Sequence, residues 1–523
     1  MLRRLGRALA RRYHLALAAV TVALKLPVLA VPCSGDATSY LLPTVYWILE
    51  EGPSWFLEGG DTRGTNGFGH PPFFFHVLAA AMRLAGPSLT VARLAVAAFA
   101  ALGVYCTARY AHSLYGRTGG FIAASLLLLN PIYFAQAGLV RLSIPLSALG
   151  AATALAALRG NRLAYVAAGS ALVLAKEPGV CLMGAILPVV WLRNSELSLR
   201  RRVRELLPYC IPVLVFVAWI LLNELRWGKM VNRPGIKWAA MHPWWRTKEL
   251  LFSGGQWALT LPVLGWLVWH GRGRARGWRL ACAAAATLAV FLLFSLPPVG
   301  LSYDAPAKLG AAVLVGSLCL QPLSRLSPGT MLAGLALVVT LGPLFALNEK
   351  LPRYLLPALP FYCILAAGAL KNLFQRWALL WWGVCAVALI VGWRGPRSAG
   401  GDMAYVHLVG TVRDAVTYVE SAHPDDAVVV SCFSERAMRD PRMGYVRRPL
   451  RAFSVEEVGG RVGPGEVGAF VFVFSPGRFD ALEVQNRRLQ RDLKLLRRKL
   501  GRPLSLDREF RSRSNRVLVF RPE

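Results

Sequence analysis

The sequence predicts a polytopic α-helical membrane protein that carries a small α/β domain at its C-terminal end. Three observations predict it. The 523-residue chain is 55% hydrophobic with a mean hydropathy of +0.44, above the roughly 45–50% apolar usage of soluble domains. The excess lies in long blocks, such as 94–110 and 337–347, that hold too few polar groups to face water. From about residue 402 the character changes to polar sequence with short runs rich in β-branched and aromatic residues.

A hydrocarbon core of about 30 Å takes about 20 apolar residues per helix, and lipid forces backbone polar groups to pair within the segment. On that basis about thirteen spans are expected, near 13–32, 90–110, 119–135, 142–158, 162–176, 179–192, 206–223, 256–270, 279–296, 308–323, 330–347, 354–370 and 377–393. A shorter apolar segment near 72–86 reads as lying along the membrane surface or re-entering it. Residues 1–32 look like a signal peptide, but many more spans follow, so they are read as an uncleaved first helix.

Charge orients the spans. The basic start, 2–12, belongs in the cytoplasm, where short loops gather Lys and Arg. Counting forward places Arg117, the 159–162 turn, 193–205, 270–279 and 371–376 on the same side. The opposite side receives 33–89, 136–141, 177–178, 224–255, 297–307, 348–353 and the polar end of the chain. The chain is thus expected in the plasma membrane if prokaryotic, with a cytoplasmic N-terminus. A membrane domain over 1–400, with an outer loop at 33–89, would be followed by an extracytoplasmic α/β domain over 401–523. In that domain strands are expected at 427–433, 468–474 and 516–520, and a helix over 481–500 with Leu489, Leu493, Leu496 and Leu500 as its apolar stripe.

The formal net charge of +32 does not imply nucleic acid, since no basic stripe interleaved with exposed aromatics occurs. Six of the nine cysteines sit inside apolar runs as small core residues, and only Cys33 and Cys432 look able to face an extracytoplasmic compartment. No zinc-like cysteine spacing is present.

Five segments carry chemistry, all at span boundaries on the predicted outer side. Asp36 follows the first span, and an ionisable group at the membrane edge often marks function; a solvated loop carboxylate is the plain alternative. The glycine-rich stretch 59–69, with Asp61, leads to His70-Pro71-Pro72, where His70 reads equally as a helix cap. Asn130-Pro131 is a natural helix stop, and Arg141 beyond it is either a snorkelling side chain or a phosphate ligand. Lys176-Glu177-Pro178-Gly179 marks a tight turn, which on its own reads as a surface hairpin with a self-compensating pair. Lys350, Arg353 and Tyr354 lie where a cation grips a lipid phosphate, or simply anchors at the interface.

With these residues the sequence resembles the GT-C membrane glycosyltransferases, in particular the family-39 protein mannosyltransferases and the aminoarabinose transferases of lipid A. The likeness rests on Gly35-Asp36 with Tyr40, His70-Pro71-Pro72, the segment 93–141, Lys176-Glu177-Pro178 and 352–360. It implies a GT-C-like fold and a polyprenyl- or dolichyl-phosphate sugar as donor. It also implies an extracytoplasmic acceptor (protein, lipid or glycan) and an inverting transfer with Asp36 as general base. Arg141, Lys176 or Arg353 would stabilise the departing phosphate, with His70 bordering the donor and the basic loop 224–255 recruiting phosphate. Two departures matter. Ala37 stands where many relatives have Glu, and Ser143-Ile144-Pro145 follows where many have an acid after the arginine. A second carboxylate is then either missing or supplied elsewhere, by Asp61, Glu177 or Asp304. A divalent metal ion is an optional cofactor, but a hard cation takes several oxygen ligands and no compact cluster is visible, so no residue is assigned to one. The other readings are a transporter or carrier-lipid flippase, against which stand the missing internal repeat and the boundary placement of the charges, and a catalytically inactive relative acting in an assembly.

Overall fold

The structure is a computed structural model that describes residues 12–33, 35–57, 70–227, 327–346, 352–392, 405–423, 427–432, 435–474, 482–512 and 515–523. The spans expected at 256–270, 279–296 and 308–323 lie outside the described residues, as do Asp61, Asp304, Lys350 and most of the loop 224–255.

The helices follow the apolar blocks closely. They are α1 (Tyr13–Ala23), α2 (Leu42–Glu51), α3 (Phe73–Ala85), α4 (Leu89–Leu129), α5 (Pro131–Gln136), α6 (Ser143–Leu158), α7 (Arg162–Ala175), α8 (Gly179–Arg193) and α9 (Leu199–Trp227). After the interval come α10 (Pro328–Ala346), α11 (Leu359–Phe374) and α12 (Ala378–Gly392). Helix α4 is one hydrogen-bonded run broken at Gly116, whose φ of +70° only glycine adopts easily. The break falls between the two spans expected at 90–110 and 119–135. Among the described residues, α4 and the run Leu199–Arg226 within α9 are long and apolar enough to cross a membrane by length and composition.

Three boundaries differ from expectation. The first span stops at Ala23, because Pro27 follows in a 3-10 turn at Leu26–Val28. The span expected to reach 135 stops at Leu129, since the Asn130 side chain accepts from Ile132 N at 3.0 Å and Tyr133 N at 3.3 Å and so starts α5. The basic segment 199–205 is the first two turns of α9 rather than a loop. Helix α4 is the hub of the packing, with α1, α6 and α11 against it. Helix α6 is buried almost throughout, which its all-round apolar sequence requires.

The chain's end forms a five-stranded sheet in the order β2-β1-β3-β5-β4, from β1 (Val428–Ser431), β2 (Arg451–Phe453), β3 (Val467–Phe474), β4 (Leu504–Ser512) and β5 (Asn515–Pro522). Pairs β1–β2 and β1–β3 are parallel; β3–β5 and β4–β5 are antiparallel. Alternation gives it two buried faces. Val428, Val430, Phe470, Phe472, Leu518 and Phe520 share a cluster with the predicted leucine stripe of α14 (Leu482–Leu500). Val429, Ala469, Val471, Val517 and Val519 join the main core with Val412, Val416 and Val419 of α13 (Tyr405–Ala422). The three expected strands and the helix are present; β2 and β4 are additions, the first too short and the second too charged to show as apolar runs.

Candidate active site

Asp36 is placed by a local device. Gly35, at φ +60°, turns the chain, and its carbonyl accepts from Thr38 N and Ser39 N, both at 2.9 Å. Residues Ala37–Leu41 then wind as a π-helical turn, a rare form that occurs mostly at functional sites. The Asp36 carboxylate meets the Arg353 guanidinium at 3.1 Å, Asp36 being a third exposed. Arg353 comes from the other end of the sequence, in the 3-10 turn Pro352–Leu355 that opens into α11.

From this pair the site closes into a ring. The Tyr354 ring lies 5.7 Å from the Arg353 guanidinium and 5.7 Å from Lys176 Nζ, both within cation–π range. Lys176 caps the C-terminal end of α7 in an extended conformation. Glu177 Oε1 lies 2.8 Å from His70 Nδ1, so the acid reaches across the fold. The His70 ring stands 5.5 Å from that of Tyr40, and Tyr40 is one turn of the π-helix from Asp36. Of the sequence-derived candidates, Asp36, Tyr40, His70, Lys176, Glu177, Arg353 and Tyr354 therefore meet, and Asp61 lies outside the described residues. Glu177 is the one described residue among the three acids considered for a second carboxylate, Asp304 like Asp61 lying outside the described residues.

Arg141 is not a snorkelling side chain. It is 3% exposed and donates to Gln136 Oε1 at 3.2 Å. It backs the Asp36 turn: a methyl added at Gly35 would stand 3.9 Å from Arg141 Nη2.

Sequence reasoning missed the support beneath. Arg93, 1% exposed in α4, donates to the carbonyls of Val28 (2.8 Å), Pro32 (2.8 Å) and Gly138 (3.1 Å). Its Nη2 also lies 3.7 Å from the Cys33 thiol, which is buried and not open to an outer compartment. Those carbonyls belong to the two segments that carry Asp36 and Arg141. Lys25, 4% exposed, reinforces the same join through the Phe134 carbonyl and ring. The signal was visible, since a charge inside an apolar run demands a buried partner.

In this arrangement Asp36 pairs with Arg353 and Glu177 with His70. Among the described residues, no three His, Cys, Asp or Glu side chains gather to hold an ion.

Residues 69–223 match the family model described as dolichyl-phosphate-mannose-protein mannosyltransferase. That segment includes His70, Arg93, Arg141, Lys176 and Glu177, and leaves out Asp36 and Arg353. Among solved structures, ArnT from Cupriavidus metallidurans bound to undecaprenyl phosphate aligns at 18% identity and a TM-score of 0.48, covering 96% of this chain and 97% of its own. The apo oligosaccharyltransferase of Archaeoglobus fulgidus aligns at 13% identity and 0.45, covering 88% and 69%. The arabinofuranosyltransferase AftD from Mycobacteria aligns at 15% and 0.42, covering 98% and 40%. No curated protein matches the chain. By its family match and by the order of its motifs, the chain resembles the GT-C superfamily of membrane glycosyltransferases.

Proposed function

We propose that the protein transfers a sugar from a polyprenyl- or dolichyl-phosphate carrier to an acceptor on the extracytoplasmic side of the membrane, with inversion at the anomeric carbon. The observation that carries this reading is the Asp36–Arg353 pair closing a ring with Lys176, Glu177 and His70. A phosphate monoester leaving a sugar carries negative charge, and preorganised cations stabilise it most where water is scarce. Arg353 and Lys176, both beside the Tyr354 ring, would flank that phosphate, with Arg141 behind. Asp36 would take the proton of the acceptor hydroxyl as general base. Arrival of the donor phosphate at Arg353 would release the Asp36 carboxylate for that task. The description of the matched family, which names a dolichyl-phosphate sugar, supports the donor class.

The test is to compare lipid-linked sugars and glycoconjugates in cells holding the wild type, no protein, or Asp36→Asn. Loss of one glycan with accumulation of one carrier-linked sugar is expected in the last two, and it names both substrates. Unchanged glycans in the Asn variant, at equal protein level, would remove the assignment of Asp36. A wild-type chain that binds carrier lipid yet never turns over would instead favour the inactive relative.

A further inference from the structure

His70 and Glu177 form an arrangement that carrier binding alone does not require. The imidazole Nδ1 and the carboxylate Oε1 lie 2.8 Å apart, with side chains 15% and 20% exposed. Each partner is fixed by proline: Pro71-Pro72 leads from His70 into α3, and Pro178 leads from Glu177 into α8. A carboxylate on Nδ1 sets the ring's orientation and tautomer and balances the imidazolium form, leaving Nε2–H to act. The titratable and charged groups facing His70 among the described residues are Glu177 and Tyr40, with Lys176 next to Glu177 in the chain. Asp36 pairs with Arg353 and His70 with Glu177, so two proton-handling groups are present with different partners.

We propose that His70, held by Glu177, is the proton donor to the departing lipid phosphate, so that Asp36 and His70 divide the base and acid duties of one transfer. The proposal rests on the carrier-lipid reading above. In the step, the acceptor oxygen bonds to the anomeric carbon while the bond from that carbon to the phosphate oxygen breaks, its electron pair leaving with the phosphate. The hydroxyl proton passes to the Asp36 carboxylate. The Nε2 proton of His70 passes to a phosphate oxygen. One proton enters the protein and one leaves it, nothing is oxidised, and exchange with water resets both groups.

The test needs no turnover and no knowledge of the sugar. The full chain in detergent is titrated with decyl phosphate, and the 31P shift of the bound phosphate is followed against pH. An imidazolium hydrogen-bonded to the phosphate favours the dianion, as an opposite charge within about 4–6 Å does. The midpoint of the bound phosphate is therefore expected to rise by about one pH unit from wild type to His70→Gln, a tenfold change in proton affinity. Equal midpoints in the two proteins overturn the assignment of His70 and leave carrier binding intact. Failure of the wild type to bind decyl phosphate overturns the carrier-lipid reading itself. Should His70→Gln lose its fold, wild type with 15N-labelled imidazoles answers alone. A histidine Nε2 resonance is expected to move on adding decyl phosphate and to stay when the phosphate is replaced by decyl maltoside; no movement overturns the proposal.

Discussion

At the scale of single residues, the site depends on which partner each charge chooses. Asp36, a third exposed, meets Arg353, so Asp36→Asn removes both the proposed base and one end of an ion pair. Transfer from the carrier is expected to fall about 10²–10⁴-fold while membrane insertion stays unchanged, as read by transfer assays on equal amounts of purified protein. Arg93 is a different case, a cation that touches the site only through the carbonyls it holds. Arg93→Met removes three hydrogen bonds from a charged donor, each worth about 1.5–3 kcal/mol. A clear drop in thermal midpoint is expected, with Arg93→Lys recovering part of it. An unchanged midpoint in Arg93→Met would show that the join is held elsewhere.

At the scale of elements, the positions of the described helices were legible and the pairings between them were not. Hydropathy marks where a helix runs because lipid leaves the backbone no alternative, which is why the run 142–158 became α6 and 162–176 became α7 almost to the residue. Side-chain partners depend on how helices cross, which the sequence does not write down. Lys176-Glu177 reads from the sequence as a self-compensating turn, and the fold brings His70 to Glu177, a contact 107 residues apart that no local pattern announces. The roles of Asn130 and Gly116 were readable in part, since both residues break helices for reasons internal to themselves. Asn130→Ala is expected to destabilise by about 0.5–2 kcal/mol through loss of the cap on α5, seen as a lower thermal midpoint. In the sheet, Glu509 lies between Arg511 at 2.7 Å and Arg516 at 2.5 Å, and the hydrogen bond from Arg511 leads in pushing its carboxyl down to about 2. A depressed folded value means the contribution is complete above the ordinary carboxylate range and is lost as pH falls through about 2. Amides of β4 and β5 are therefore expected to keep their exchange protection on acidification to pH 4 and to lose part of it toward pH 2, with Glu509→Gln showing the loss at neutral pH.

At the scale of the whole molecule, the C-terminal sheet region is tied to the segment that follows Asp36. Arg442 meets Glu50 of α2 and Asp440, each at 2.9 Å, and its guanidinium lies 4.1 Å over the Tyr46 ring. Gly444, at φ +82°, brings the backbone against Leu89 and Pro32, where an added methyl would stand 3.0 Å from Leu89 Cδ1. Partly exposed pairs contribute little singly, so Arg442→Ala is expected to leave the sheet folded and to raise amide exchange in α2. The resemblance read from the sequence covered the membrane part and was silent on this region, since a docking face made of one arginine and one glycine leaves no periodic trace. The convergence of Asp36, Lys176 and Arg353 was visible only as a shared predicted side, and the fold turns that sidedness into a ring. The most direct measurement of that claim is the affinity of purified protein for undecaprenyl phosphate, in wild type, Lys176→Ala, Arg353→Ala and the double variant. Each single change is expected to weaken binding about tenfold, and the double change by less than the product of the two, as for neighbours that share one ligand. Wild-type affinity in all three variants would contradict a common phosphate site.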